Sequence, residues 1–130
     1  EFVFAVAVNP SKKTLFTEDE RIELIKEATS DIQNISVLST KKLIVDLAKE
    51  EHAIALIRGL RHVSDFEFEF QMAMMNFHLN PDIASLFMMP DEKYIHLNST
   101  VVKDVVKNGG DISAFVPSCV NDALLSKYSV

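Results

Sequence analysis

Apolar residues run without a break from Phe2 to Val8, rich in Val and Phe. A strand with one wet face alternates, so this run predicts a strand buried on both faces. Asn9-Pro10 is a turn signal that ends it. Thr17-Glu18-Asp19-Glu20 reads as a capping box and predicts a helix from about Glu18 to Thr29. Ile35-Ser36-Val37-Leu38 is a short second strand. Lys41 to Glu51 carries Leu43, Ile44, Leu47 and Ala48 at helical spacing. Ala53 to Ile57 is a third buried strand, after which Asp65 caps a helix reaching about His78. Leu86 to Met89 is a fourth strand stopped by Pro90. A helix from about Ser99 stops at Gly109-Gly110, a C-cap signal, and a last helix follows Pro117-Ser118.

Strands alternating with helices predict right-handed βαβ units and a mostly parallel sheet with helices on both faces, an α/β fold in one domain over residues 1–130. The chain begins without Met and directly on a core strand. That leaves two expectations: a processed terminus, or an earlier βα unit ahead of Glu1.

Composition changes this picture only by exclusion. No apolar run approaches the roughly 20 residues of a membrane helix, and Cys119, the sole cysteine, rules out an intrachain disulfide and a cysteine-rich zinc site. A free thiol fits a reducing compartment. The net charge of −6 argues against a nucleic-acid coat protein. An acidic protein that holds phosphate must instead concentrate its cations locally.

Parallel sheets bind ligands beyond the C-terminal strand ends, and the polar signals collect there. Asn9 to Lys13, Ser39 to Lys42, Arg58 to Arg61 and Pro90 to Thr100 each follow a predicted strand. Arg58-Gly59-Leu60-Arg61 is the strongest signal. Arg58 starts from a rigid strand end, and a guanidinium fork matches phosphate oxygens. Gly59 permits close backbone approach or a positive φ. The alternative for the two arginines is a pair of structural salt bridges.

In the helix that follows, Phe66, Phe70, Ala73 and Phe77 form one stripe, and Asp65, Glu69, Met72 and Asn76 another. With Phe68, Met74 and Met75 also apolar, little of this helix is expected to face water. A buried Glu69 needs a partner, and Arg61 is the candidate. Asn98-Ser99-Thr100 reads as an N-cap whose two hydroxyls also suit an anion. The four histidines, His52, His62, His78 and His96, show no metal spacing, and no P-loop, dinucleotide fingerprint or nucleophile elbow is present.

Three blocks together resemble bacterial phosphopantetheine adenylyltransferase. They are Asn9-Pro10-Ser11-Lys12-Lys13 with Leu15-Phe16-Thr17 and Glu20-Arg21; Arg58 to Arg61 with Val63 to Glu69 and Gln71-Met72-Ala73; and Ser99 to Lys103 with Gly110-Asp111 and Val116-Pro117. The resemblance covers essentially the whole chain. It implies a Rossmann-like nucleotidyltransferase fold in a cytoplasmic homohexamer. The activity it implies is transfer of the adenylyl group of ATP, with Mg²⁺, to 4′-phosphopantetheine, giving dephospho-coenzyme A and pyrophosphate. Carried over by position, Lys12 and Arg58 meet the acceptor phosphate and serve catalysis. Leu43, Ile44, Met72, Met75 and Asn76 line the pantetheine arm. Gly59, Leu60, Arg61 and Glu69 go with ATP, as do Tyr94, Ile95, His96, Leu97, Asn98, Ser99 and Thr100. No protein metal ligand, nucleic acid or membrane is implied, and coenzyme A is a further expected ligand.

Departures from the family pattern are Lys42 in place of Gly or Asp, His96 in place of an aromatic residue, and Asn98 in place of Ser. The family's first block, with a His-x-Gly-His-type motif, has no counterpart within the chain. It is expected ahead of residue 1, and the chain without it is expected to be inactive. Two other functions fit the same residues: a non-catalytic phosphopantetheine and nucleotide-binding module, or a related nucleotidyltransferase with another phosphate acceptor.

Overall fold

Two parallel strand ladders organise the chain in a computed structural model that describes residues 1–9, 11 and 13–129. The first strand, β1 (Phe2–Ala7), is followed by helix α1 (Glu18–Ala28), strand β2 (Ile35–Thr40) and helix α2 (Ile44–Glu50). Strand β3 (Ala55–Gly59), helix α3 (Val63–Leu79) and strand β4 (Ala84–Met88) come next. A 3₁₀ turn (Glu92–Tyr94), α4 (Ser99–Lys107) and α5 (Ser118–Tyr128) complete the order. Strands and helices alternate as the hydrophobic pattern predicts, in an α/β, Rossmann-like arrangement.

The chain divides into two compact units, residues 1–41 with 97–130, and residues 42–96. In the first, β1 pairs with β2 in parallel from Phe2↔Ile35 to Ala7↔Thr40. The loops after β1 and β2 therefore leave one rim of this pair. Helix α1 packs on it. Its start is the predicted capping box: the Glu20 N–H donates to Thr17 Oγ1 at 3.2 Å, and the Thr17 N–H donates to Glu20 Oε2 at 2.7 Å. Lys127 on α5 donates to the other Glu20 oxygen at 2.7 Å, tying the last helix to the first. Val106, Ile112 and Leu124 form the buried centre of this unit.

Helix α4 ends as its glycines predict. The Gly109 N–H donates to the Val106 carbonyl and the Gly110 N–H to the Val105 carbonyl, both at 2.9 Å. Gly109 sits at φ 77°, where a side chain is disfavoured.

In the second unit β3 and β4 pair in parallel, from Ala55↔Ala84 to Gly59↔Met88. Helix α3 lies on this pair, with the Phe66 and Phe87 rings edge to face at 6.2 Å.

The structure corrects four expectations. First, β1 is not buried on both faces, and β3 is not a buried strand. Of β1 only Val6 is buried, while Ile57, Leu86 and Met88 on one face of β3–β4 are each about half exposed. Among the described residues each ladder has two strands.

Second, β3 lies two residues later than predicted. His52 adopts φ 52°, and the Ala53 N–H turns back to the Ala48 carbonyl at 2.8 Å, so Ala53 belongs to the end of α2. Third, α2 begins at Ile44 and not Lys41.

Fourth, α3 begins at Val63 with His62 at its N-cap, so Asp65 lies inside the helix. None of its residues is buried, and Phe68, Met74, Met75 and Phe77 are all more than half exposed.

Candidate functional site

The shift of β3 places Arg58 and Gly59 inside the strand rather than after it. Arg58 stands opposite Phe87 in the register, and the ladder continues one residue past β3 through the Leu60 N–H and the Met88 carbonyl at 2.9 Å. Backbone bonds on both sides hold the Arg58 Cα. Gly59 is not in the left-handed region, so of its two sequence readings only close approach remains. The space a Cβ would enter is open to 4 Å.

Glu69 pairs with Arg58, not with the expected Arg61. Arg58 Nε donates to Glu69 Oε2 at 2.7 Å and Nη2 donates to Oε1 at 2.6 Å. The contact is a two-point fork, the strongest form of such a pair. The Glu69 side chain is 12% exposed and that of Arg58 56%. The hydrogen bonds Arg58 donates to Glu69 raise the Arg58 pKa above its ordinary value, against the opposing effect of burial.

Arg61 lies at 3.4 Å (Nε) from Asp65 Oδ2, which also accepts the Arg61 backbone N–H at 3.3 Å. The spacing i, i+4 makes this the nearer carboxylate for Arg61. Arg58 points to the side of the strand that α3 covers, where Glu69 waits. Both arginines therefore form the salt bridges foreseen as the alternative to phosphate binding. Arg58 nonetheless keeps an exposed edge, because a guanidinium has five N–H donors and the Glu69 fork takes one on each of two nitrogens.

The least exposed stripe of α3 is Asp65, Glu69, Ala73 and Asn76. This helix thus turns polar groups toward its strands and leaves aromatics outside, the reverse of an ordinary amphipathic helix. Met72 and Met75 remain exposed, as does Leu43 at the N-cap of α2, while Ile44 is half-buried.

Lys42 donates to both Glu50 oxygens at 2.7 and 2.9 Å. Tyr94, Ile95 and His96 end the second unit. Lys93 Nζ stands 4.6 Å from the centre of the Tyr94 ring.

In the first unit, Leu97 leads to Asn98, whose side chain accepts the Val101 N–H at 2.9 Å. Ser99 and Thr100 form the exposed first turn of α4. On the loop after β1, the Ser11 N–H and hydroxyl both donate to Asn9 Oδ1, at 3.0 and 2.6 Å. Lys12 lies outside the described residues. A cleft of about 510 Å³ in the second unit sits at the opposite, N-terminal strand ends, between Asp46, Lys49, His52, Ile54, Asn80 and Asp82. None of the expected site residues lines it.

Parallel strand pairs with intervening helices, and Arg58 fixed at the C-terminal end of β3, are features of α/β proteins that bind ligands beyond those strand ends. Residues 1–105 match the cytidylyltransferase-like family, and the chain belongs to that family. Nucleotidyl transfer is the chemistry of that family, and a nucleoside triphosphate its substrate.

Proposed function

We propose that this nucleotidyltransferase transfers the adenylyl group of ATP to 4′-phosphopantetheine, yielding dephospho-coenzyme A and pyrophosphate. The observation that carries the reading is Arg58: a rigidly mounted guanidinium at a parallel strand's C-terminal end, within the block from Arg58 to Ala73 that resembles the phosphopantetheine enzymes. An oxygen of the acceptor phosphate attacks the α-phosphorus, and the bond from that phosphorus to the bridging oxygen of pyrophosphate breaks. The acceptor phosphate is already largely dianionic near neutral pH, its second pKa being about 6, so the step needs no general base. It needs repulsion between two anions cancelled and the attacking oxygen held in line.

In this proposal Arg58 and Lys12 meet the acceptor phosphate. Leu43, Ile44, Met72, Met75 and Asn76 meet the pantetheine arm. Gly59, Leu60 and Arg61 meet the triphosphate; Glu69, which the resemblance places with ATP, is held by Arg58. Tyr94 to Thr100 meet the nucleotide. Mg²⁺ enters this proposal as the companion of the triphosphate.

The reading also carries a homohexamer in the cytoplasm. The test is pyrophosphate release from ATP by the intact protein, with 4′-phosphopantetheine against other phosphate acceptors. Release with another acceptor alone would overturn the substrate. Binding of coenzyme A without any release would leave a binding module.

A further inference from the structure

We infer that Glu69 is a positioning residue for Arg58: it fixes the guanidinium plane and aims the outer edge at the acceptor phosphate. This rests on the reading of Arg58 as the acceptor's ligand. The resemblance gives Glu69 to the nucleotide, but both of its oxygens are already engaged by Arg58, at 2.6 and 2.7 Å. The fork takes Nε–H and one N–H of Nη2. The two N–H groups of Nη1 and the second of Nη2 remain, and they form the end of the guanidinium, itself a two-point donor for phosphate. The exposures agree with this division, since Glu69 is 12% exposed and Arg58 56%.

The pair persists when a phosphate arrives. Pulling Arg58 away would leave Glu69 mostly buried and unpaired, which costs far more than a surface ion pair. Both ends are also mounted on packed elements. Arg58 lies within β3, and α3 is braced on β4 by Phe66 against Phe87. Glu69 thus limits an otherwise flexible arginine to one orientation before ligand binds. Such preorganisation lowers the ordering cost of binding.

The sign of one substitution separates positioning from plain electrostatics. Glu69→Gln keeps the side chain's shape, removes one acceptor and deletes a negative charge beside the site. Coulomb's law alone then predicts tighter phosphate binding. Positioning predicts weaker binding, by about tenfold or more, because small misplacements of an aligned group are costly.

The experiment is calorimetric titration of the intact protein with 4′-phosphopantetheine, for wild type, Glu69→Gln, Arg58→Ala and the double variant. The Arg58 Nε–H resonance is followed in parallel. We expect Glu69→Gln to weaken binding and lose that resonance, and the double variant to be no worse than Arg58→Ala. Glu69→Asp keeps the charge but is one methylene too short to reach Arg58 in the same place, so it too should weaken binding; it serves if Glu69→Gln fails to fold. If the Glu69 variants bind as tightly as wild type or more so while Arg58→Ala binds weakly, the positioning role is wrong and the function stands. If Arg58→Ala binds as wild type does, Arg58 is not the acceptor's ligand and the inference falls with that reading.

Discussion

Helices α3 and α4 solve opposite problems. Helix α4 is closed at both ends, by the Asn98 side chain at its start and the Gly109 turn at its finish, and it hides Val106 completely. Helix α3 is almost twice as long, yet it has no side-chain cap at its start and buries none of its 17 residues. What α3 turns toward its strands is a carboxylate that holds an arginine. Helix α4 has the features of an element that stabilises its unit. Helix α3 gives up apolar burial to place Glu69, as functional elements commonly do.

If that contrast is right, damage to the two helices should separate in turnover. The largest effect is expected at the α3 site. Arg58→Ala should lower turnover of the folded protein by about 10²–10³-fold, the range for removing one donor to developing charge, in addition to the stability lost by leaving Glu69 mostly buried without its partner. Lys12→Ala should also lower turnover severely. Val106→Ala in α4 should act on stability alone. It should cost about 2 kcal/mol in chemical denaturation, from lost burial plus a cavity, and leave turnover of the folded protein unchanged. Asn98→Ala should cost about 1 kcal/mol by the same measurement, through the lost cap.

Glu20, which closes the capping box of α1 and pairs with Lys127 on α5, predicts a pH dependence. The hydrogen bond from Lys127, followed by that from the Thr17 N–H, holds the Glu20 carboxyl below its usual range. A depressed folded-state pKa gives stability that is fully present above the unfolded value, about pH 4.3. It is lost as pH falls through the lowered folded value. Glu20→Gln should therefore lower stability across the range above about pH 5 and flatten the acid side of the profile, the difference from wild type vanishing at low pH. The smallest effect is expected at His52. Its φ of 52° favours glycine, so His52→Gly should stabilise the protein by up to about 1 kcal/mol. An unchanged or lower denaturation midpoint would show that this left-handed turn carries no strain.

What was legible in the sequence was what local chemistry dictates. Thr17 with Glu20, and Gly109-Gly110 after Lys107, mark a helix start and stop by residue type alone. The order of strands and helices followed from hydrophobic runs and spacing. The left-handed turn at His52 gave no such mark, because the residue there is not glycine, and the bounds of β3 slipped by two residues as a result. The run from Phe2 to Val8 says that the strand is apolar, not how many neighbours cover it, so full burial did not follow. At the site, the arginines were identifiable by type and place. Their partners were not, because choosing between Asp65 and Glu69 requires knowing that Arg58 lies within β3 and Arg61 beyond its end.

The central claim is that Arg58, mounted on β3 and gripped from α3, meets the acceptor phosphate during nucleotidyl transfer. Pyrophosphate release by the intact protein from ATP and 4′-phosphopantetheine, compared between wild type and Arg58→Ala, tests it most directly. The account predicts robust release by the wild type and a loss of about 10²-fold or more in the folded variant. Equal release by the two proteins would contradict it.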